Sequence, residues 1–332
     1  MILHLNKDTN EQEAQALAQK TKAFCIHNGS EFVLITGSNV KEVPEELKSK
    51  ITNSWVFAND IQLASKSYLD ATREIKIGDF SIGGASKNTV LIGGPCSVES
   101  EAQIFESADF MSNLGLKLFR GGCYKPRTSP YSFQGLGEEG LKLLAQVREK
   151  YGMKVITEVR DATHVEEVIA YTDIIQVGAK AMYDQGILRA CAKTQKPILI
   201  KRGFGTTLQE FVQAAEFVLS GGNPNVILCE RGIRTFETGT RFTLDLCGVA
   251  WLKKHTNLPV ILDPSHAMGY AYGVADLARA CVAMGIDGLL IESHPNPKVA
   301  LSDASQQLNH AEFEALFASL KPVAQAVGYK MI

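Results

Sequence analysis

The strongest constraint on how this chain can fold is a repeating beat that begins near residue 89. Eight short apolar runs follow one another at Val90–Gly93, Leu116–Arg120, Val155–Val159, Ile174–Val177, Ile198–Lys201, Val226–Cys229, Val260–Leu262 and Leu289–Ile291. Helical stretches such as Glu138–Tyr151 and Leu208–Leu219 lie between them. Near-continuous apolar strands that alternate with helices belong in a parallel sheet covered on both faces. Eight such units in roughly 250 residues fit a closed (β/α)8 barrel of the α/β class, the TIM barrel. A doubly wound open sheet fits less well, because the units recur without a Gly-rich dinucleotide turn.

Each apolar run gives way to a polar segment. The strand ends carry GPCSVES, FRGGCYKPRTSP, ITEVRD, QVGAK, IKRG, CERG, DPSHAMG and IESHPNP. In a barrel these ends converge on one mouth, where active sites lie. Arg120, Lys125, Arg127, Lys180, Lys201, Arg202, Arg231 and Arg234 all fall at or just beyond a strand end. Any one of them could be an ordinary surface charge. Eight at one mouth of a chain with net charge −2 suit phosphates and a carboxylate, with Arg as planar fork and Lys as point charge. Cys96 follows the first strand, His266 the seventh and Glu292 the eighth, with Asp303 in the loop beyond. Closure brings strands seven, eight and one side by side. A thiolate, an imidazole and two carboxylates suit a divalent first-row metal such as Mn, Fe, Co or Zn. The bland alternatives are a small core cysteine and a hydrogen-bonded histidine. His294, two residues after Glu292, reads as a neighbour that orients a ligand or a phosphate. Cys123 reads as a small filler, and the other cysteines as interior residues.

The first seventy residues differ. Ile2–Leu5, Phe32–Ile35 and Trp55–Phe57 read as strands. A helical stripe runs from Ala14 to Phe24 or Cys25, behind a capping box at Asn10 and Glu13. A second helix follows Pro44 and holds Leu47 and Ile51. This order suits a small α+β ferredoxin-like domain. Ile75 and Ile77, then Phe80 and Ile82, alternate about a Gly78-Asp79 turn and read as a hairpin that could cap the barrel bottom. The expected division is 1–70 for the small domain, 71–84 for linker and hairpin, and 85–332 for the barrel. The near-neutral charge gives no field for nucleic acid. No run approaches the roughly 18 apolar residues of a membrane span. The start shows no signal-peptide pattern, so a cytoplasmic location is expected. Seven cysteines without CxxC spacing read as free thiols.

Long separated motifs then carry a resemblance. GGPCSVES, FRGGCYKPRTSPYSFQGLGEEGL, KRGFGTTLQE, CERGIRTFET, DPSHAMG and IESHPNP with LSDASQQL closely resemble the 3-deoxy-D-arabino-heptulosonate 7-phosphate (DAHP) synthases. The match is to the type I beta branch, with an N-terminal ferredoxin-like domain. The resemblance implies a transferase that condenses phosphoenolpyruvate with D-erythrose 4-phosphate, the first step of the shikimate pathway. It implies one divalent metal on Cys96, His266, Glu292 and Asp303. It implies phosphoenolpyruvate contacts at Arg120, Lys125, Lys201 and Arg231, with Glu158 and Gln176 near that substrate. Lys125, Pro126, Arg127 and Thr128 would receive erythrose 4-phosphate. The family commonly has Arg where Lys180 follows Gly178-Ala179, so the charge is kept and the bidentate fork is lost. Lys201 is expected as proton donor or water positioner, and Glu158 as the residue that orients the water. A homo-oligomer, dimer or tetramer, and feedback by an aromatic amino acid are also expected. The runner-up is 3-deoxy-D-manno-octulosonate 8-phosphate synthase, which uses arabinose 5-phosphate. It carries an Asn-Arg-Ser type segment where this chain has KPRT at 125–128.

Overall fold

The computed structural model describes residues 1–125 and 129–332. Four strands and one helix form the N-terminal part: β1 (Ile2–Leu5), α1 (Glu11–Thr21), β2 (Phe24–His27), β3 (Phe32–Ile35) and β4 (Ile51–Trp55). The sheet order is β2-β3-β1-β4, with antiparallel pairing throughout. Three expectations are corrected here. The helix stops at Thr21, where Lys22 turns left-handed, and Phe24 and Cys25 start a strand instead of ending the stripe. The expected second helix is one 3-10 turn, Glu45–Leu47, after which Ile51 opens β4. The third strand candidate, Trp55–Phe57, is in fact the end of β4 at Trp55. One sheet face packs Leu3, Leu5 and Leu34 on Ala14 and Ala18 of α1. The other carries Ile2, Val33 and Ile35 into the main core.

The hairpin β5 (Glu74–Ile77) and β6 (Phe80–Gly83) comes next. Eight parallel strands follow: β7 (Asn88–Gly94), β8 (Leu118–Arg120), β9 (Lys154–Val159), β10 (Ile174–Val177), β11 (Ile198–Lys201), β12 (Val226–Glu230), β13 (Val260–Leu262) and β14 (Gly288–Glu292). Each pairs with the next, and β14 pairs with β7 from Gly288 against Val90 to Glu292 against Gly94. The barrel therefore closes, as the eight runs imply. A short β15 (Lys330–Met331), which no sequence signal announces, pairs with the start of β7.

The strand faces divide by parity. Val90, Ile92, Leu118, Ile156, Ile174, Leu199, Ile227, Cys229, Ile261 and Leu290 fill the barrel interior. Ile75, Ile77 and Ile82 of the hairpin join that cluster, so the hairpin plugs the bottom. Leu91, Phe119, Ile175, Ile200, Leu228, Leu262 and Ile291 pack outward on the helices. No helix among the described residues is long and apolar enough to cross a membrane.

Candidate active site

Successive strand residues point to opposite faces. One step of two beyond the inner apolar layer reaches Gly94, Arg120, Glu158, Gln176, Lys201, Arg231, Asp263 and Glu292 in strand order. The barrel thus changes from oil to charge at a single level. Two glycines make room there. A Cβ on Gly94, at φ +141°, would lie 2.1 Å from the Arg120 carbonyl oxygen, and one on Gly178 would lie 2.1 Å from Glu158 Oε1.

Four residues meet where β13, β14 and β7 adjoin. Cys96, Glu292 and Asp303 place ligand atoms within 4.8 Å of one another. His266 Nε2 lies 3.5 Å from Glu292 Oε1 and 3.8 Å from Asp303 Oδ2. His266 rides on the short helix Pro264–Met268, which Asp263 caps. Burial, then the charge of Glu292, pushes the Cys96 thiol up to about 12. Its Sγ contacts Asp303 Oδ2 at 3.3 Å and receives Lys125 Nζ at 3.1 Å. Burial opposes ionisation of Glu292, but His266 and Arg120 outweigh it and hold the carboxyl low. Glu292 Oε2 accepts from Gln306 Nε2 at 2.6 Å. Its Oε1 is buried and accepts no hydrogen bond from the described residues, although Arg120 is 3.0 Å away. Two carboxylates and a thiol this close repel when ionised. A divalent cation relieves that repulsion, occupies the orphaned oxygen and lowers the thiol pKa. The donor set therefore fits the metal that the sequence implied.

Beside this corner lies a cavity of about 400 Å³. Lys125, Lys180, Lys201, Arg231 and Arg241 line it, with Glu158, His266 and Asp303. Burial opposes the charge of Lys125, but Cys96 and Glu158 raise its pKa. Burial likewise opposes Arg120, and Glu292 more than restores it. Arg231 is different: burial lowers its pKa. Its guanidinium lies 4.3 Å from the Phe242 ring centre, and its buried NH1 has no hydrogen-bond partner among the described residues. A buried cation aimed into a cavity without a partner is a place for an anion. Glu158 Oε2 accepts from Gln176 Nε2 at 2.9 Å, which fixes the carboxylate at the cavity wall.

Not every expected cation arrives. Arg202 has the outward parity and binds Glu230 at 2.9 Å and Asp245 at 2.8 Å behind the barrel wall. Arg234 is exposed and stacks on Phe204 at 4.5 Å. His294 reaches Glu99 at 3.5 Å and the Asn296 amide at 3.0 Å, and these contacts lie outside the metal corner. Cys123 is buried filler beside Thr157, but Cys247 is exposed and Cys25 half-buried, against the expectation that both lie inside. Pro126, Arg127 and Thr128 lie outside the described residues. Sequence reasoning missed Asp263, Arg241 and Gln306. Strand parity from Ile261 would have given Asp263. Arg241 sits in a loop that folds back through Ile233 and Thr243, and no local periodicity marks it.

Comparison with known proteins settles the lineage. The DAHP synthetase I family matches residues 61–327. The chain belongs to that family. A phospho-2-dehydro-3-deoxyheptonate aldolase of Thermotoga maritima is 45% identical over 270 residues, which span 81% of this chain and 79% of the relative. The solved structure of the DAHP synthase from Thermotoga maritima superposes with a TM-score of 0.81 at 39% identity, covering 100% of this chain and 99% of that one. A 2-dehydro-3-deoxyphosphooctonate aldolase of Bordetella petrii is 35% identical over 254 residues, 69% of this chain and 88% of the relative. The structural likeness to the Thermotoga maritima enzyme spans the N-terminal sheet as well.

Proposed function

We propose that this DAHP synthetase I family member condenses phosphoenolpyruvate with D-erythrose 4-phosphate and water, giving DAHP and inorganic phosphate. The observation that carries this is the junction of two features at one level of the barrel: the four-donor corner and the cation-lined cavity beside it. Cys96, His266, Glu292 and Asp303 would hold one divalent transition metal. When bound, that ion supplies Lewis-acid polarisation of the aldehyde oxygen.

The chain's own groups do the rest. Arg120, Lys125, Lys201 and Arg231 hold the carboxylate and phosphate of phosphoenolpyruvate, and Lys180 at the rim adds charge for a phosphate. This fixes the reacting carbons in contact, which converts an encounter into a unimolecular step. The methylene carbon of phosphoenolpyruvate bonds to the aldehyde carbon, and the aldehyde oxygen takes a proton. Lys125 adjoins the metal corner, 3.1 Å from Cys96 Sγ, and supplies that proton. Water oriented by Glu158 adds to C2 and gives one proton to the Lys125 amine left neutral by the first step. The C2–O bond to phosphate then breaks, the departing phosphate takes the remaining hydroxyl proton as C2 becomes a ketone, and fixed cations stabilise the leaving charge. Lys201 is tied to Asp263 at 2.6 Å, which suits an anchor better than the proton donor it was expected to be. Pro126, Arg127 and Thr128 are assigned to the aldose phosphate on the KPRT motif.

The similarity to the Bordetella petrii enzyme favours a second reading, the octulosonate reaction with arabinose 5-phosphate. KPRT speaks for the four-carbon aldose. Protein stripped by a chelator should release no phosphate from the substrate pair, and a divalent transition metal should restore release. Full turnover in metal-free protein would contradict the metal assignment. For the N-terminal sheet we propose feedback by an aromatic amino acid. A second cavity of about 600 Å³ between that sheet and the barrel, walled by Trp55, Tyr68 and Arg73 among others, gives such an effector room. A cytoplasmic homo-oligomer is part of the same reading.

A further inference from the structure

His266 belongs to the metal corner and Lys201 to the anion cavity, and a carboxylate described so far only as a helix cap and as the partner of Lys201 lies between them. Asp263 is fully buried. Its Oδ1 accepts the His266 backbone N–H at 2.9 Å, as an N-cap does. A cap needs only that one oxygen. The second oxygen, Oδ2, lies 2.7 Å from His266 Nδ1 and 2.6 Å from Lys201 Nζ. One atom therefore faces both a residue of the metal corner and a residue of the anion cavity.

We propose that Asp263 is a positioning residue that sets the imidazole of His266 and the ammonium of Lys201 from a single oxygen. The inference rests on the proposed condensation and its metal corner. The carboxylate 2.7 Å from Nδ1, an ion contact in which the ring N–H is not aimed well enough for a hydrogen bond, favours the tautomer with hydrogen on Nδ1 and leaves the Nε2 lone pair bare. Nε2 is the ring atom that faces Glu292 and Asp303. Lys201 has a flexible four-carbon stem, and an ammonium held by a buried carboxylate loses the freedom to swing. Because the two contacts share Oδ2, displacement of either group displaces the other. Asp263 thus keeps the metal corner and the phosphoenolpyruvate cations at one spacing, which in this reaction is the spacing between the two carbons to be joined.

The test measures binding at equilibrium, without turnover, in the full chain. Cobalt(II) is titrated into metal-stripped protein and followed by its visible absorption. Phosphoenolpyruvate is then titrated into cobalt-saturated protein by calorimetry. Asp263→Asn leaves one acceptor oxygen, so either the cap or the shared contact must be lost. Asp263→Ser retains a capping hydroxyl too short to reach the imidazole and the lysine together, and it decides the matter where the amide variant fails to fold. The expected result is a cobalt dissociation constant raised about 10- to 100-fold, with phosphoenolpyruvate binding weakened about tenfold or more in the saturated protein. Arg231→Ala should weaken phosphoenolpyruvate binding alone and leave the cobalt constant in place. A folded variant at Asp263 that lowers only the melting temperature, with both constants within about twofold of the parent, would reduce Asp263 to a helix cap and overturn the proposal. Parent protein that binds neither cobalt nor phosphoenolpyruvate would instead overturn the functional reading beneath it.

Discussion

Among single residues, parity decides which charges serve the site. Lys201 and Arg202 are adjacent, yet one faces the cavity and the other the ion pairs with Glu230 and Asp245. Their neighbours on the next strand, Glu230 and Arg231, divide the same way. Two substitutions should therefore behave oppositely. Arg202→Ala leaves Glu230 buried without its cation and should cost about 3–5 kcal/mol of stability, while the KM for phosphoenolpyruvate in the folded fraction stays near the parent value. Arg231→Ala should raise that KM roughly ten- to hundredfold with a smaller loss in urea-melt stability. Equal effects on KM would contradict the assignment of faces. Cys96→Ser replaces a thiolate by a neutral hydroxyl and should reduce metal content after dialysis, as measured by elemental analysis. That Cys96, His266 and Glu292 share one corner was legible in the sequence, because each lies at or just past a strand end of the closed barrel. Asp263 was legible in principle, by counting two from Ile261. Arg241 was not, because its place at the cavity depends on a long loop returning through Thr243.

Among the elements, the barrel was easier to read than the sheet before it. Eight buried strands leave an apolar signal that no loop imitates. Phe24–His27 is half-exposed, so its residues fit a helical stripe as well as a strand, and only pairing with β3 settles the matter. The segment after Pro44 forms a single turn, because the chain must reach the edge of β1 by Ile51. The hairpin was read correctly as a bottom cap, and its cost of removal can be measured. Ile75→Ala, in a fully apolar surround, should lower stability by about 2–5 kcal/mol and leave substrate KM values unchanged. The link to the N-terminal sheet offers a pH test. Glu216 of the helix Leu208–Ser220 accepts the amides of Gln62, Leu63 and Ala64. Burial nevertheless pushes its carboxyl from 4.5 up to about 7, against those amides and Arg73. The folded chain then holds this proton more tightly than the unfolded chain does. Its contribution to stability is full below about pH 4.5 and is lost as pH rises toward 7. Glu216→Gln cannot titrate, so the melting temperature of the variant minus that of the parent should increase from about pH 5 to about pH 7. A constant difference would show that Glu216 is ionised throughout.

In the molecule as a whole, the sheet of residues 2–55 supplies none of the site groups, and the family match itself begins at residue 61. A chain starting at Ile61 keeps the contacts to Glu216 and Arg73. It should remain active and lose sensitivity to tyrosine or phenylalanine, with folding verified first by circular dichroism. Full-length protein that ignores all three aromatic amino acids, chorismate and prephenate would make assembly the better role for the sheet. Neither role was readable residue by residue, since binding between subunits or domains depends on surfaces that no periodicity announces. The substrate is another matter, because two related reactions compete for one barrel and differ in the aldose. The deciding measurement is kcat/KM for phosphate release from phosphoenolpyruvate in metal-loaded enzyme, with erythrose 4-phosphate and then arabinose 5-phosphate as partner. The expected result is a preference for erythrose 4-phosphate of at least about tenfold, the discrimination that one lost charge-assisted hydrogen bond supplies. A higher value with arabinose 5-phosphate, or no release with either, would contradict the assignment.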